Sequence, residues 1–216
     1  MKIPMMIAGG REVDLLDLKP HVFEIGTIAA SLSLQNRFNG HTTLRGQPVP
    51  YSVAAHSVLV CMLVDHETRD PGLALTALLH DAHKVIVGDI SRPVIEVLGR
   101  QGIKKFSMEV QAQIATKYKL GVVIFPTEGN LFPGCVAEWD KWAARWEMSQ
   151  FFPGCPEPEG TEDLVAVEEF RSGMITDAVW ARETFLALFH RLTSQIKMTR
   201  SLGSSVELAP VGEEEA

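Results

Sequence analysis

No run of eighteen apolar residues occurs anywhere in the chain, which argues against a membrane-spanning helix. Cysteine is scarce. Cys61, Cys135 and Cys155 stand far apart with no Cys-x-x-Cys pair, so neither a disulfide framework nor a zinc knuckle is expected, and a reducing cytoplasm is the expected compartment. Residues 1–10 are apolar but too short for the core of a signal peptide, and no cleavage site follows them. Positive charge is short as well. The net charge is −7; setting aside Glu207, Glu213, Glu214 and Glu215 leaves a body of about −3 with no basic stripe. A nucleic-acid polymer is therefore not the expected partner, and neither is a membrane, whereas a small anion held by a few cations and a metal is compatible with this balance. Aromatic residues make up only 7%, yet three of the four tryptophans fall at Trp139, Trp142 and Trp146, the pattern of one packed helix face.

What the chain does contain is helical periodicity. With 46% hydrophobic and 22% charged residues, 216 positions suit one globular domain over 1–200, followed by an acidic, aperiodic tail over 201–216 that is expected to be disordered. Ile28, Ala29, Leu32 and Gln35 mark a helix over 25–37. Ser52 caps a second over 53–66, with Val58, Leu59, Met62 and Leu63 inward. A third is expected over 73–85, ending at Gly88, and a short one opens at Ser91-Arg92-Pro93. Further helices are expected over 103–120, 134–148, 161–171 and 175–197, the last with Val179, Leu186, Phe189 and Leu192 inward. With no convincing strand and no repeat, the expected class is all-α, a bundle of seven or eight helices.

Three sites within these helices carry ionisable groups where apolar ones would be ordinary. His56 lies mid-helix in an apolar run, His80-Asp81 follow Leu73-Ala74-Leu75-Thr76-Ala77-Leu78-Leu79, and Asp140 sits between Trp139 and Trp142. Taken one at a time, each could be a satisfied polar residue. Together, two imidazoles and two carboxylates from three helices form a mixed N/O set suited to a divalent transition metal, because buried charge must be paired or ligate a metal.

The surrounding motifs sharpen this reading. In order they are Ile25-Gly26-Thr27-Ile28-Ala29-Ala30-Ser31-Leu32-Ser33-Leu34 leading to Arg37-Phe38-Asn39-Gly40-His41, then Tyr51-Ser52-Val53-Ala54-Ala55-His56-Ser57, Leu78-Leu79-His80-Asp81-Ala82, Gly88-Asp89-Ile90-Ser91-Arg92-Pro93, and Asp140 with Glu147. In this order and spacing, residues 13–147 resemble the HD-domain phosphohydrolases, in particular the bacterial 5′-deoxynucleotidases and their phage relatives, which include dATP triphosphohydrolases. The resemblance implies an HD-type helical bundle that hydrolyses a (deoxy)nucleotide, either a monophosphate or a triphosphate such as dATP. It makes His56, His80, Asp81 and Asp140 the ligands of one divalent metal, with Zn, Co, Mn, Ni and Fe all open. It makes Arg37 the arginine that grips substrate phosphate and Phe38 an aromatic that stacks on base or sugar, core packing being the alternative. Asp89 becomes a carboxylate near the sugar and leaving group. Glu147 is either a support for the ligands or purely structural, and His41 and His83 stay outside the site.

One residue departs from that pattern. The family places a glutamate three residues after the His-Asp aspartate, where it orients or deprotonates water; Lys84 stands there in this chain. A protonated lysine cannot act as a base but can bind a phosphate oxygen, so Lys84 and Asp89 are the expected catalytic pair. A catalytically weak nucleotide-binding regulator is the alternative. A homo-oligomer is compatible with either.

Overall fold

The computed structural model describes residues 2–98, 100–120, 132–161, 165–172 and 176–204. The chain is predominantly α-helical, as its periodicity predicts. Nine α-helices are present among the described residues: α1 Ile25–Leu34, α2 Val53–Thr68, α3 Pro71–Leu78, α4 Lys84–Val87, α5 Arg92–Leu98, α6 Arg100–Tyr118, α7 Gly134–Phe151, α8 Val165–Ser172 and α9 Ala178–Ser204.

α2 is the central rod. Every residue from Val53 to Val64 is buried except Met62, which is partly so. A helix apolar on all sides belongs inside a core, and α2 packs against α1, α3, α7, α8 and α9. Its entry is set by Ser52, whose Oγ accepts the Ala55 N–H at 3.1 Å. Its exit is Arg69, in the left-handed region at φ 53°. Burying Val58, Leu59 and Leu63 stabilises the fold by roughly 1.5–3 kcal/mol each. That suffices to carry one histidine into the interior, provided its ring nitrogens find partners.

Four expectations need correction. Two antiparallel hairpins are present where no strand was expected. Pro4–Ile7 (β1) pairs with Arg11–Asp14 (β2), and Thr43–Leu44 (β3) pairs with Gln47–Pro48 (β4). Their turns explain them: Gly9 and Gly10 in the first, Arg45 and Gly46 in the second, all have positive φ, which matches the twist of a tight hairpin. Both ladders are too short to produce a legible alternation. Second, 73–85 is not one helix. It breaks after Leu78 into a turn over 79–83 and resumes as α4, which raises the count from eight to nine. Third, Val179 is exposed; Ala181, Phe185, Phe189 and Leu192 form the inward face of α9. Fourth, Ser201–Ser204, assigned from the sequence to the tail, continue α9; the rest of the acidic tail, 205–216, lies outside the described residues, as does Gly121. The tryptophans behave as expected: Trp146 is fully buried against Phe170, with Trp139 and Trp142 half-buried beside it. No helix among the described residues is long and apolar enough to cross a membrane.

Candidate metal centre

Three elements converge on one point. α2 brings His56, the 79–83 turn brings His80 and Asp81, and α7 brings Asp140 and Glu147. The turn forms because the hydrogen bonds here run to the third residue back: Ala82 N to Leu79 O at 3.1 Å, Lys84 N to Asp81 O at 3.0 Å and Val85 N to Ala82 O at 3.1 Å. The His80 side chain reinforces the break by donating from Nδ1 to the Ala77 carbonyl at 2.7 Å, a local side-chain bond that competes with the regular helix.

That same bond determines the chemistry of His80. With the proton on Nδ1, Nε2 keeps a lone pair, and this buried Nε2 has no hydrogen-bond partner. It lies 3.6 Å from Asp140 Oδ1 and 3.6 Å from Asp81 Oδ2. His56 is arranged in the same way. Its Nδ1 donates to Glu147 Oε1 at 2.5 Å, which turns Nε2 toward Asp140 Oδ1 at 3.0 Å and Asp81 Oδ2 at 3.7 Å. One donor atom from each of His56, His80 and Asp140 lies within 4.8 Å of the others. Without a metal, a proton on His56 Nε2 makes the 3.0 Å hydrogen bond to Asp140 Oδ1. Once that proton leaves, two imidazole lone pairs and a carboxylate face one point and repel each other unless a cation sits among them. The donor set therefore fits a divalent metal. Asp81, the fourth expected ligand, lies beside both imidazoles but is not one of the three clustered donors.

The sequence leaves Glu147 as either a support for the ligands or a structural residue, and its contacts make it a support. Two helical turns below Asp140 on α7, it is fully buried and accepts from His56, from Tyr51 Oη at 2.9 Å, and from Arg37 Nε and Nη2 at 3.1 and 2.9 Å. A carboxylate behind a ligating histidine fixes its tautomer and raises its basicity. Burial opposes the charge on Glu147, but Arg37 and His56 outweigh it and hold the carboxyl below its usual range. For His56, burial and Arg37 disfavour the imidazolium, yet Glu147 and Asp140 prevail and its pKa is raised. Burial also works against the charge on Asp81 and Asp140. Lys84 with the two histidines overcomes it at Asp81, the two histidines overcome it at Asp140, and both carboxyls sit well below the usual range.

The raised His56 pKa has a measurable consequence. The metal-free site retains a proton to a higher pH than free imidazole, so a metal must displace it and affinity should climb as pH rises through and above about 6.5. Calorimetric titration with Mn²⁺ at pH 7 should give a binding enthalpy that changes between two buffers of different ionisation enthalpy. Identical enthalpies would mean that no proton leaves.

The remaining expected residues are placed as follows. Arg37, almost buried, braces Glu147 through two of its nitrogens and sets Nη1 3.6 Å from Asp81 Oδ2. Phe38 follows in the left-handed region at φ 53°, stacked edge-on to Phe152 at 5.3 Å and packed on the core, with the Arg37 guanidinium 5.3 Å from its ring centre. Lys84 contacts both Asp81 Oδ2 at 2.7 Å and Asp89 Oδ1 at 2.6 Å. Asp89 reaches it because Gly88, at φ 80°, reverses the chain at the end of α4. Burial disfavours the ammonium, but Asp81 and Asp89 keep its pKa raised. His41 is exposed and His83 is not one of the three clustered donors.

Fold and site together define a predominantly α-helical protein with a cluster of two buried histidines and one partly exposed aspartate able to hold a metal ion. No family model matches the chain. It is similar to an uncharacterized protein of Rhodobacter capsulatus, 37% identical over 119 residues that cover 53% of this chain and 58% of that one.

Proposed function

We propose that this protein is a metal-dependent phosphohydrolase of the HD type that acts on a free (deoxy)nucleotide. The observation that carries the reading is the convergence of the His56 and His80 Nε2 atoms on Asp140, with Asp81 alongside. Held by these residues, a divalent transition metal would polarise a phosphate oxygen and acidify a water molecule. Glu147 and the Ala77 carbonyl keep both imidazoles in the ligating tautomer. Arg37 and Lys84 offset phosphate charge, Lys84 through the ammonium N–H not directed at Asp81 or Asp89. Asp89 accepts the proton of the attacking water, and Phe38 borders the nucleoside. Monophosphates and triphosphates both suit the site. Three free cysteines suit a reducing cytoplasm.

Incubating the protein with each nucleoside mono-, di- and triphosphate in Mn²⁺, Co²⁺, Ni²⁺, Zn²⁺ or Fe²⁺ should release orthophosphate from a monophosphate or tripolyphosphate from a triphosphate. Long oligonucleotides should bind weakly and without the steep salt dependence of many phosphate contacts. Robust nuclease activity would overturn the choice of substrate, and no product under any condition would overturn the enzyme reading. One observation favours a second reading, a nucleotide-binding regulator with little turnover. Where a water-orienting carboxylate would be expected, Lys84 is clamped between two aspartates. Tight nucleotide binding without product would select it.

A further inference from the structure

The contacts of Lys84 suggest a role beyond phosphate binding. Its ammonium sits between two carboxylates, Asp81 and Asp89, whose side chains are only 12% and 10% exposed, and is itself only 14% exposed. The backbone that carries it is anchored at both its carbonyl and its N–H. The Gln35 side chain donates to the Lys84 carbonyl at 3.1 Å, tying α4 to the end of α1, and the Lys84 N–H is bonded to the Asp81 carbonyl. The oxygen of Asp81 that it contacts, Oδ2, is the one that lies 3.6–3.7 Å from the two imidazole Nε2 atoms. One carboxylate thus borders two cationic positions: the cluster formed by His56, His80 and Asp140, and the place filled by the lysine. Two carboxylates with one oxygen each directed at a single point are also the donors that a second divalent ion would use, and in two-metal sites a shared carboxylate commonly lies between ions about 3.5–4 Å apart.

We propose that Lys84 is a built-in counter-ion that occupies a second cation position between Asp81 and Asp89 and so limits the centre to a single metal ion. The inference rests on the metal reading of the His56, His80 and Asp140 cluster. Arg37 Nη1, 3.6 Å from the same Asp81 oxygen, adds to the positive charge that an incoming second ion would meet. Removing the ammonium leaves two nearly buried carboxylates side by side with a vacant space between them. Their repulsion is relieved most directly by a divalent ion drawn from solution.

The test is metal stoichiometry, read by Mn²⁺ titration with electron paramagnetic resonance of the free ion and by elemental analysis after gel filtration. The wild-type chain should bind one Mn²⁺. Lys84→Ala should bind two, the second more weakly, with the broadened signal of a coupled pair. Lys84→Ala combined with Asp89→Asn should return to one. Lys84→Gln, neutral and of similar reach, provides the same measurement if Lys84→Ala does not fold, and Lys84→Arg should remain at one. Two ions in the wild type, or one ion in folded Lys84→Ala or Lys84→Gln, overturn the proposal while leaving the cluster intact. A wild-type chain that binds none overturns the metal reading itself, and the proposal with it.

Discussion

Replacing His80 with alanine should abolish stoichiometric metal uptake. Loss of residues that merely support a ligand typically weakens metal affinity by about 10–100-fold, so loss of a ligand should exceed that range. His80 is the strongest single test because its buried Nε2 has no hydrogen-bond partner, while its Nδ1 is committed to the Ala77 carbonyl. A metal bound only by the native state stabilises it by about 2.7 kcal/mol at one hundred times Kd. The wild-type melting temperature should therefore rise with added Mn²⁺, and that of His80→Ala should not. Elemental analysis showing a fully loaded variant would remove His80 from the ligand set.

Glu147→Ala should be the most destabilising substitution near the site, because it acts through the fold as well as the metal. Glu147 is fully buried and serves Arg37, Tyr51 and His56 at once. Removing one partner of a buried ion pair leaves an uncompensated charge and costs about 3–5 kcal/mol. At about 2–4 °C per kcal/mol for a domain of this size, the melting temperature should fall on the order of 6–20 °C. Glu147→Gln keeps the shape and loses the charge, so its loss should be smaller. The sign of the pH dependence follows from the lowered carboxyl pKa. The stabilisation is present above the unfolded value of about 4.3 and is lost as pH falls through the folded value, so the acid limb of the wild-type stability curve should be flatter in Glu147→Gln. A variant melting within a degree or two of wild type would mean that Arg37 and His56 find other partners.

The helices were legible because their apolar residues recur at helical spacing over long stretches; α2, α6 and α7 fall close to where that spacing puts them, whereas α9 runs on past its expected end. The short elements were not legible. Four-residue and two-residue strands leave too few alternations to recognise, and the break after Leu78 depends on a hydrogen bond from His80 to a carbonyl that only the folded turn brings within reach. The cluster itself was readable because charged groups in apolar helix faces require an explanation. What surrounds it was harder to read. Tyr51 looked like part of a motif and proved to be a donor to Glu147. Arg37 carries the planar fork suited to phosphate, yet two of its nitrogens face Glu147. The Glu147 signal was available in the seven-residue interval from Asp140, which sets both on one face of a helix. Its importance rests on complete burial, which spacing alone does not reveal.

That interval bears on how this chain can change over generations. Asp140, 42% exposed at the rim, and Glu147, wholly interior, are carried by one continuous helix, so their relative position is set by the number of residues between them. Lys141 and Arg145 are exposed, whereas Ala143 and Trp146 are held by packing. Gain or loss of a single residue would swing Glu147 by about 100° around the helix and part it from His56. Along 141–146, the exposed positions should thus accept exchange of one side chain for another, while any change in length should break the site.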